Sequence, residues 1–514
     1  MAKKGSETLF RLVKALTPAE KRYFKIYIQR NTQGKESNYV KLFEAIEAQD
    51  VYNEEKLIKR FGKEAFANNF SIAKNRLYES LLRSLDVFHA DSSIDAQLKR
   101  QLHYAEILYR KNLHEECMKE LVSAKRFATK YENYAALLDI SLREKKIISA
   151  TAYSHVTEKS LDKIHSTDNL LFDKIKSISY LWNIKSKFFF LINKQGAIRN
   201  KKELSKFKQI IDSAVLENDR KDLSFETKDL FYHIYGAYYY AVGDYEKGYV
   251  YLKKHIHLVQ SHTETIKEDP NKYVAILNNI LNVCYLLKRY DEASEYLKKL
   301  RNITKLLPAG KSAHLEVKIF ASSYNFELTV YIETGEFQKA VLLVPAIEKG
   351  LKKYEGKINQ VQKILLYYNI SVAYFGAEKY SEALSWTNKL LNDSNVAMTQ
   401  DIYCFTKILN LIIHLELENN DFMPYAYKAT FRFLNSKNRV YKFETVFLNF
   451  IGKIMKEKQL DLSKHYKNLK DELLILSDDP FEKPVFEHFD FISWVESKIE
   501  KTPFRELFQK HLKK

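Results

Sequence analysis

Glycine and proline are scarce in this chain of 514 residues, which contains 13 glycines and 8 prolines. Folds rich in tight turns, including most β-sheet folds, use these residues far more often. Their scarcity therefore argues against a β-rich or loop-rich protein. We predict an all-α fold in which helices are joined by short connections.

The chain also lacks long hydrophobic runs and has only three cysteines. No window approaches the roughly 18 consecutive apolar residues of a membrane-spanning helix, so no membrane partner is expected. The first residues lead into an amphipathic segment, and we expect no secretory signal. Cys117, Cys284 and Cys404 lie far apart in apolar surroundings, which favours buried thiols over disulfides or metal ligands. These features predict a cytoplasmic protein.

Motifs of common enzyme classes are missing as well. The sequence contains no glycine-rich phosphate loop, no H-E-x-x-H, no C-x-x-C and no G-x-S-x-G. We therefore expect a protein that is not an enzyme, has no catalytic residues and uses no cofactor or metal.

Positive charge is concentrated towards the start of the chain, whose net charge is +18. The excess is +6 in residues 1–100, +7 in 101–220, +3 in 221–360 and +2 in 361–514. Such an asymmetry could attract an acidic partner such as nucleic acid. A lysine-rich, solvated surface gives the same totals, so both interpretations stay open.

An aromatic residue followed three positions later by a compact residue recurs in the second half of the chain. The pairs are Tyr245/Gly248, Tyr290/Ala293, Phe337/Ala340, Tyr380/Ala383 and, more weakly, Phe422/Tyr425. Successive aromatic residues are 45, 47, 43 and 42 residues apart. Such a period is typical of stacked helical hairpins, in which Gly or Ala at the crossing point lets two helices approach closely.

The segment AVGDYEKGYVYLKK contains the first of these pairs. Gly243 can adopt the left-handed conformation that ends a helix, and Asp244 can cap the next helix. The segment therefore predicts a structural turn between two helices, with no phosphate-binding or catalytic role.

These repeats resemble the tetratricopeptide-repeat family. In GAYYYAVGDYEKGYVYLKK, the small, aromatic, glycine, aromatic and bulky positions of that family correspond to Gly236, Tyr239, Gly243, Tyr245 and Leu252. The segment LLKRYDEASEYLKKL repeats the same phase. The chain departs from the family in three respects: Gly248 replaces the usual Ala, the closing Pro is missing, and each unit is about ten residues longer. The resemblance implies a right-handed superhelix of stacked helical hairpins.

The sequence divides into four predicted segments. We predict a basic helical bundle in residues 1–95 and degenerate helical repeats in 96–220. Tetratricopeptide-like repeats are expected in 221–435, and helices that cap the end of the stack are expected in 436–514. Thr17 and Glu20 have the spacing of a capping box, and Asp490 is an expected helix cap. Residues 151–213 have the length of two further hairpins but no clear anchor residues.

The family resemblance implies that the first helix of each hairpin lines a concave binding face. Its inward positions are His233, Tyr240, Asn278, Asn282, Tyr285, Asn325, Tyr368 and Phe375. An asparagine amide can pair with the backbone of an extended peptide, and tyrosines add contact area. We therefore expect a scaffold or adaptor with a protein or peptide partner, whereas the alternative is that these amides are merely solvated.

The last helix of the amino-terminal bundle suggests a second hypothesis. It carries Lys74, Asn75, Arg76 and Arg83 away from the centre of its apolar stripe. A helix of this kind could enter a DNA major groove, which would make the protein a transcription regulator with a peptide-sensing or dimerising repeat domain. The alternative is a capping bundle with solvated charges. The sequence does not determine the partner's identity or the oligomeric state.

Overall fold

The computed structural model describes residues 7–31, 38–62, 64–91, 93–154, 156–195, 198, 200–212, 223–306, 313–393, 400–437, 439–456 and 462–512. Within these ranges the chain forms 25 α-helices and no β-strand, which confirms the predicted all-α class. Contacts divide the chain into two compact units, one ending at Ile175 and the other beginning at Lys176. No helix in these ranges is both long enough and apolar enough to cross a membrane.

The first unit contains eight helices and the start of a ninth. They are α1 (Thr8–Ala15), α2 (Pro18–Asn31), α3 (Asn38–Glu47), α4 (Glu54–Arg60), α5 (Phe70–Phe88), α6 (Ile94–Arg110), α7 (His114–Lys130), α8 (Tyr134–Ala150) and α9 (Glu158–Gln195). Helices α1 to α5 share one core around Phe24, Phe43 and Leu77. The capping box at the start of α2 is confirmed, because the Thr17 amide donates to Glu20 at 2.6 Å and the Glu20 amide donates to the Thr17 hydroxyl at 3.3 Å.

Helix α9 occupies the region in which two further hairpins were expected. It runs for 38 residues without interruption and is followed by α10 (Lys201–Asp212). Its sequence contains neither glycine nor proline, so no residue in it favours a turn. The boundary between the two units falls inside this helix.

The second unit continues with fifteen helices after α10. They are α11 (Phe225–Ala241), α12 (Tyr245–Gln260), α13 (Thr263–Glu268), α14 (Pro270–Leu286), α15 (Tyr290–Asn302), α16 (Ala313–Glu333), α17 (Phe337–Lys353), α18 (Gln360–Gly376), α19 (Tyr380–Leu391), α20 (Gln400–Glu416), α21 (Met423–Ser436), α22 (Lys442–Lys456), α23 (Leu462–Asp478), α24 (Phe491–Glu500) and α25 (Phe504–Leu512). A short 3-10 helix, Lys483–Glu487, precedes α24.

Neighbouring helices of this unit pack in pairs. The pairs are α11/α12, α14/α15, α16/α17, α18/α19 and α20/α21. The first helices of successive pairs also touch one another, from α14 to α16, from α16 to α18 and from α18 to α20. The predicted succession of packed helix pairs is therefore present between Tyr245 and Phe422.

Compact residues lie where the helices of a pair cross. Ala293, Ala340 and Ala383 are almost completely buried. A Cβ atom on Gly248 would lie 3.7 Å from the carbonyl oxygen of Gly236 and 3.6 Å from the amide nitrogen of Tyr240. Backbone therefore faces backbone at this crossing, as the repeat pattern predicts.

The turn before α12 forms as its sequence predicts. Gly243 has a φ of +79°, which lies in the left-handed region that glycine adopts without strain. The carboxylate of Asp244 accepts a hydrogen bond from the amide of Lys247 at 3.2 Å and so caps α12.

The C-terminal helices lie against several earlier helices of the second unit. The indole of Trp494 on α24 donates to Glu416 of α20 at 2.8 Å, and Gln509 of α25 donates to the carbonyl of Gly335 at 3.3 Å. Asp490 caps α24 as predicted, by accepting from the amide of Ser493 at 2.9 Å. This segment therefore runs beside the first helices of the pairs and is not confined to the end of the series.

Candidate peptide-binding cavity

The second unit contains a cavity whose polar wall is built by first helices of consecutive pairs. On α16, the lining residues Ser322, Asn325, Thr329 and Glu333 are three or four positions apart, so they emerge on one face. Helices α14 and α18 contribute lining residues from either side, because both pack against α16. Three helices therefore direct polar side chains into one space.

The cavity has a volume of about 480 Å³. Its polar lining residues are Tyr240, Asn278, Asn282, Tyr285, Ser322, Asn325, Thr329, Glu333, Gln362, Tyr368, Asn369, Glu487 and His488. Apolar side chains, among them Leu281, Phe326 and Val372, form the rest of the wall. All of these residues belong to the second unit.

Side-chain amides connect the three helices. The hydroxyl of Ser322 accepts from Nδ2 of Asn278 at 3.0 Å and from Nε2 of Gln362 at 2.9 Å. Nδ2 of Asn325 donates to the main-chain carbonyl oxygen of Gln362 at 3.1 Å, and Nδ2 of Asn369 donates to Oδ1 of Asn325 at 3.3 Å. These bonds hold the amides in place, so their remaining donor and acceptor positions are oriented in advance.

Several polar groups on this wall form no hydrogen bond within the described ranges. They include Oε1 of Gln362, which is buried, as well as the amide of Asn282 and the hydroxyl of Tyr285. A buried polar atom without a partner costs about 1–3 kcal/mol. The wall therefore has hydrogen-bonding capacity that the chain itself does not use.

The cavity is acidic where α16 ends. Glu333 is the last residue of α16, and Glu487 comes from the segment before α24. Burial, followed by the charges of Asp490 and Glu487, raises the pKa of Glu333 to about 7. Enclosure by protein also raises the pKa of Glu487, although the hydroxyl of Tyr245 donates to it at 2.5 Å. Negative charge is therefore poorly compensated in this region.

The segment that supplies Glu487 is held against the first helices. The hydroxyl of Tyr368 donates to the carbonyl oxygen of His488 at 3.0 Å, and burial raises the pKa of this tyrosine. The imidazole of His488 stacks on Phe405, with ring centroids 4.2 Å apart. The segment thus crosses α18 and α20 and forms part of the cavity wall.

Six of the eight predicted partner-binding residues line this cavity. They are Tyr240, Asn278, Asn282, Tyr285, Asn325 and Tyr368. Phe375 does not line it, because its fully buried ring packs against Phe489 at 5.1 Å and Phe504 at 5.5 Å. Phe375 is therefore a core residue that contacts the C-terminal segment.

His233 is also outside the cavity. Its ring lies 5.1 Å from that of Phe189 and 5.9 Å from that of His255. His255 bonds to Asp229 at 2.9 Å, and the ammonium of Lys272 lies 2.7 Å from the other oxygen of Asp229. Burial lowers the pKa of His233 to about 3. This placement does not support the predicted contact with a partner.

Sequence reasoning missed several residues of the cavity. They are Ser322, Thr329, Glu333, Gln362, Asn369, Glu487 and His488. The three on α16 share a helical face with Asn325, so the helical period could have identified them. Glu487 and His488 come from a segment distant in sequence, and no local pattern marks them.

The residues predicted to contact DNA lie on α5 in the first unit. Lys74 is buried, and its ammonium is bonded to Glu54 at 2.7 Å and to Tyr52 at 3.3 Å. The ammonium of Lys74 is therefore not available to a phosphate, because it is already paired with the carboxylate of Glu54 on the neighbouring helix α4. Asn75, Arg76 and Arg83 are exposed.

The exposed face of α5 is chemically mixed. Arg83 lies 3.9 Å from Glu79, and Asp86 is exposed about two turns after Glu79. Ile72 and Leu82 are 51 % and 43 % exposed on the same helix. Acidic and aliphatic side chains thus interrupt the basic surface that nucleic-acid binding requires.

The first unit contains a larger groove, of about 1410 Å³, between α7, α8 and the start of α9. Its walls are rich in aliphatic side chains such as Leu137, Ile147 and Leu171. Among its described lining residues only Asn112 carries an amide, and Lys125 pairs with Glu144 at 2.8 Å. The groove has no row of amides that could bind a peptide backbone.

The described side chains contain no group of three or more His, Cys, Asp or Glu that could hold a metal ion. Cys117, Cys284 and Cys404 are buried free thiols, as predicted. No known protein-family model matches the chain, and no curated protein sequence matches it significantly.

Proposed function

We propose that this protein is a non-enzymatic scaffold that binds a peptide or an extended protein segment in the amide-lined cavity. One observation carries the proposal: amides from three consecutive first helices meet on one wall and keep unused hydrogen-bonding positions. An extended backbone offers a donor and an acceptor at each residue except proline. The wall therefore complements a backbone without requiring a particular side-chain sequence.

The size of the cavity favours a short segment of the partner. Sites that enclose small ligands occupy about 300–1,000 Å³, and this cavity lies in the lower part of that range. A few residues of a peptide would fit inside, and the rest of the partner would remain outside.

The tetratricopeptide-like superhelix is part of the same proposal. Its support is the series of packed pairs together with the compact residues at their crossing points, including Gly248 and Ala340. Such an arrangement explains why the first helices, and not the second ones, supply the amides.

We do not extend the proposal to a DNA-binding regulator. Lys74 is engaged by Glu54, and the exposed face of α5 combines basic, acidic and aliphatic residues. Little binding to random duplex DNA is expected at physiological ionic strength. An affinity that falls steeply with salt would instead support the regulator.

Asn282 provides the sharpest test of peptide binding. Its amide lines the cavity and forms no hydrogen bond within the described ranges, so Asn282→Ala removes no hydrogen bond from that part of the chain. A pool of random nonapeptides is dialysed against the full-length protein, and the retained peptides are measured by mass spectrometry. We expect wild type to retain peptides and the variant to retain them about tenfold more weakly, because the variant loses one or two hydrogen bonds to the peptide.

Asn302→Ala is the matched control, because Asn302 lies outside the cavity and bonds only to Lys298 of its own helix. This variant should retain peptides as well as wild type. Undiminished retention by Asn282→Ala would contradict the role of the cavity.

A further inference from the structure

We infer that the Glu333 end of the cavity binds a primary ammonium group of the bound peptide, either its free amino terminus or a lysine side chain. This inference rests on the proposed peptide-binding function. It adds a charged anchor to the amide wall, which would fix the direction in which the peptide lies.

Glu333 is an exception among the enclosed carboxylates of the second unit. It forms neither a hydrogen bond nor an ion pair within the part of the chain that the structure describes. Glu416, by contrast, lies 2.5 Å from the ammonium of Lys498, and Glu292 lies 2.6 Å from that of Lys253. An enclosed charge without a counter-charge is costly, so the carboxylate of Glu333 favours a cation beside it.

Helix ends add to the negative potential at this position. Tyr240, Leu286 and Glu333 line the cavity from the last turns of α11, α14 and α16. The C-terminal end of a helix carries roughly half a negative charge on its unpaired carbonyl groups. A cationic group is therefore favoured here and an anionic group is disfavoured.

The acceptors around the site suit an ammonium group in particular. Glu333 belongs to α16, Glu487 to the segment before α24, and the hydroxyl of Tyr240 to α11. An ammonium has three diverging donors, which match three acceptors on separate elements, whereas a planar guanidinium prefers one bidentate carboxylate. A metal ion is a weaker fit, because the described side chains contain no group of three or more suitable ligands.

Three peptide pools test the inference. The first contains random hexapeptides without Lys or Arg and with a free amino terminus. The second is the same pool acetylated at the terminus, and the third is acetylated and carries one lysine per peptide. Each is dialysed against the full-length protein at pH 7, where a free amino terminus is mostly charged, and retention is measured by mass spectrometry.

We expect the first or the third pool to be retained about tenfold better than the second, as for a charge-assisted hydrogen bond. The pool that is favoured identifies the source of the ammonium. Glu333→Gln should retain the favoured pool hardly better than the second pool. Glu487→Gln, which keeps an acceptor for Tyr245, should also reduce this preference and provides a second variant if the first folds poorly.

Glu336→Gln is the matched control. Glu336 lies three residues further along the chain, does not line the cavity and pairs with Lys339 at 2.9 Å. This variant should keep the full preference for the ammonium-bearing pool.

The outcomes separate this inference from the proposed function. Equal retention of all three pools, still reduced by Asn282→Ala, would overturn the ammonium site alone. An unchanged preference in a folded Glu333→Gln would do the same. Retention of none of the pools would overturn both the peptide-binding function and the ammonium site.

Discussion

The hydroxyl of Tyr245 donates a hydrogen bond to Oε1 of Glu487 at 2.5 Å, although 242 residues separate the two in sequence. Tyr245 begins α12, and Glu487 lies in the segment that crosses the cavity. Burial and the charge of Glu487 raise the pKa of Tyr245, so its hydroxyl remains a donor at neutral pH. This bond connects the first helix pair to the acidic part of the cavity wall.

Tyr245→Phe should destabilise the protein, because it removes the hydroxyl that donates to Glu487. Water can reach the exposed carboxylate of Glu487, so we expect the free energy of unfolding to fall by about 1 kcal/mol, the net contribution of one hydrogen bond. Urea denaturation at pH 7 measures the change. Tyr425→Phe is the control, since Tyr425 is 73 % exposed and its hydroxyl can bond to water. An equal effect in both variants would contradict the structural role of the Tyr245–Glu487 bond.

Gly376→Ala should also destabilise the protein. A Cβ atom at this position would lie 2.2 Å from Cδ1 of Phe337, whose ring is packed against Phe504 and Phe508. Overpacking of this kind costs about 1–3 kcal/mol. In Gly452→Ala, the new methyl group would meet only the hydroxyl of Tyr427 at 3.4 Å, so the gain in helix propensity should leave stability unchanged or higher. Thermal denaturation of both variants tests the contrast.

Local signals made much of the fold predictable. The left-handed Gly243, the Asp244 cap and the Thr17/Glu20 capping box depend on residues within a few positions of one another. The length of α9 was predictable in principle, because no glycine or proline interrupts it. Such features follow from short-range geometry, which sequence reasoning treats well.

The features that could not be predicted depend on contacts between segments that are distant in sequence. Helical phase identified Asn278 and Asn325 but could not show that the C-terminal segment buries Phe375. Phase also placed Lys74 away from the apolar stripe of α5, yet Glu54 of a neighbouring helix encloses it. Glu487 enters the cavity through a contact that no periodic pattern contains.

His233 should make the fold sensitive to mild acid. Burial, and then the charges of Lys185 and His255, lower its pKa to about 3, against about 6.5 in an unfolded chain. Below pH 6.5 the unfolded state therefore binds a proton that the folded state does not, and the free energy of unfolding declines as the pH falls. One proton contributes at most about 1.4 kcal/mol per pH unit. The nearby Asp229 has a lowered pKa, so its own contribution is lost only at lower pH.

His233→Phe should remove this pH dependence, because phenylalanine fills the site beside Phe189 without a titratable group. Between pH 7 and pH 5, we expect wild type to lose about 2 kcal/mol more stability than the variant in urea denaturation. His257→Phe is the control, since His257 is exposed on the same helix as His255. Parallel curves for wild type and His233→Phe would contradict the prediction.

Glu333 should lower the stability of the unliganded protein at neutral pH. Its pKa is about 7 in the fold, against about 4.3 in an unfolded chain, so the folded state keeps a proton that the unfolded state releases. The free energy of unfolding therefore declines as the pH rises from about 4.5 to 7. The charged groups that act on Glu333 are Asp490 and Glu487, and the nearby cations, Lys483 and His511, act on those two residues.

Glu333→Gln removes this cost, so it should stabilise the protein by about 2–3 kcal/mol more at pH 8 than at pH 5. Urea denaturation at the two pH values measures the difference, and Glu336→Gln should show none. A variant that gains stability while it loses the preference for ammonium-bearing peptides would have the signature of a binding residue, because a carboxylate that costs the fold free energy is compensated only when a cation arrives. If Glu333→Gln is no more stable than wild type at pH 8, the carboxylate already has adequate compensation, and the ammonium site loses its physical basis.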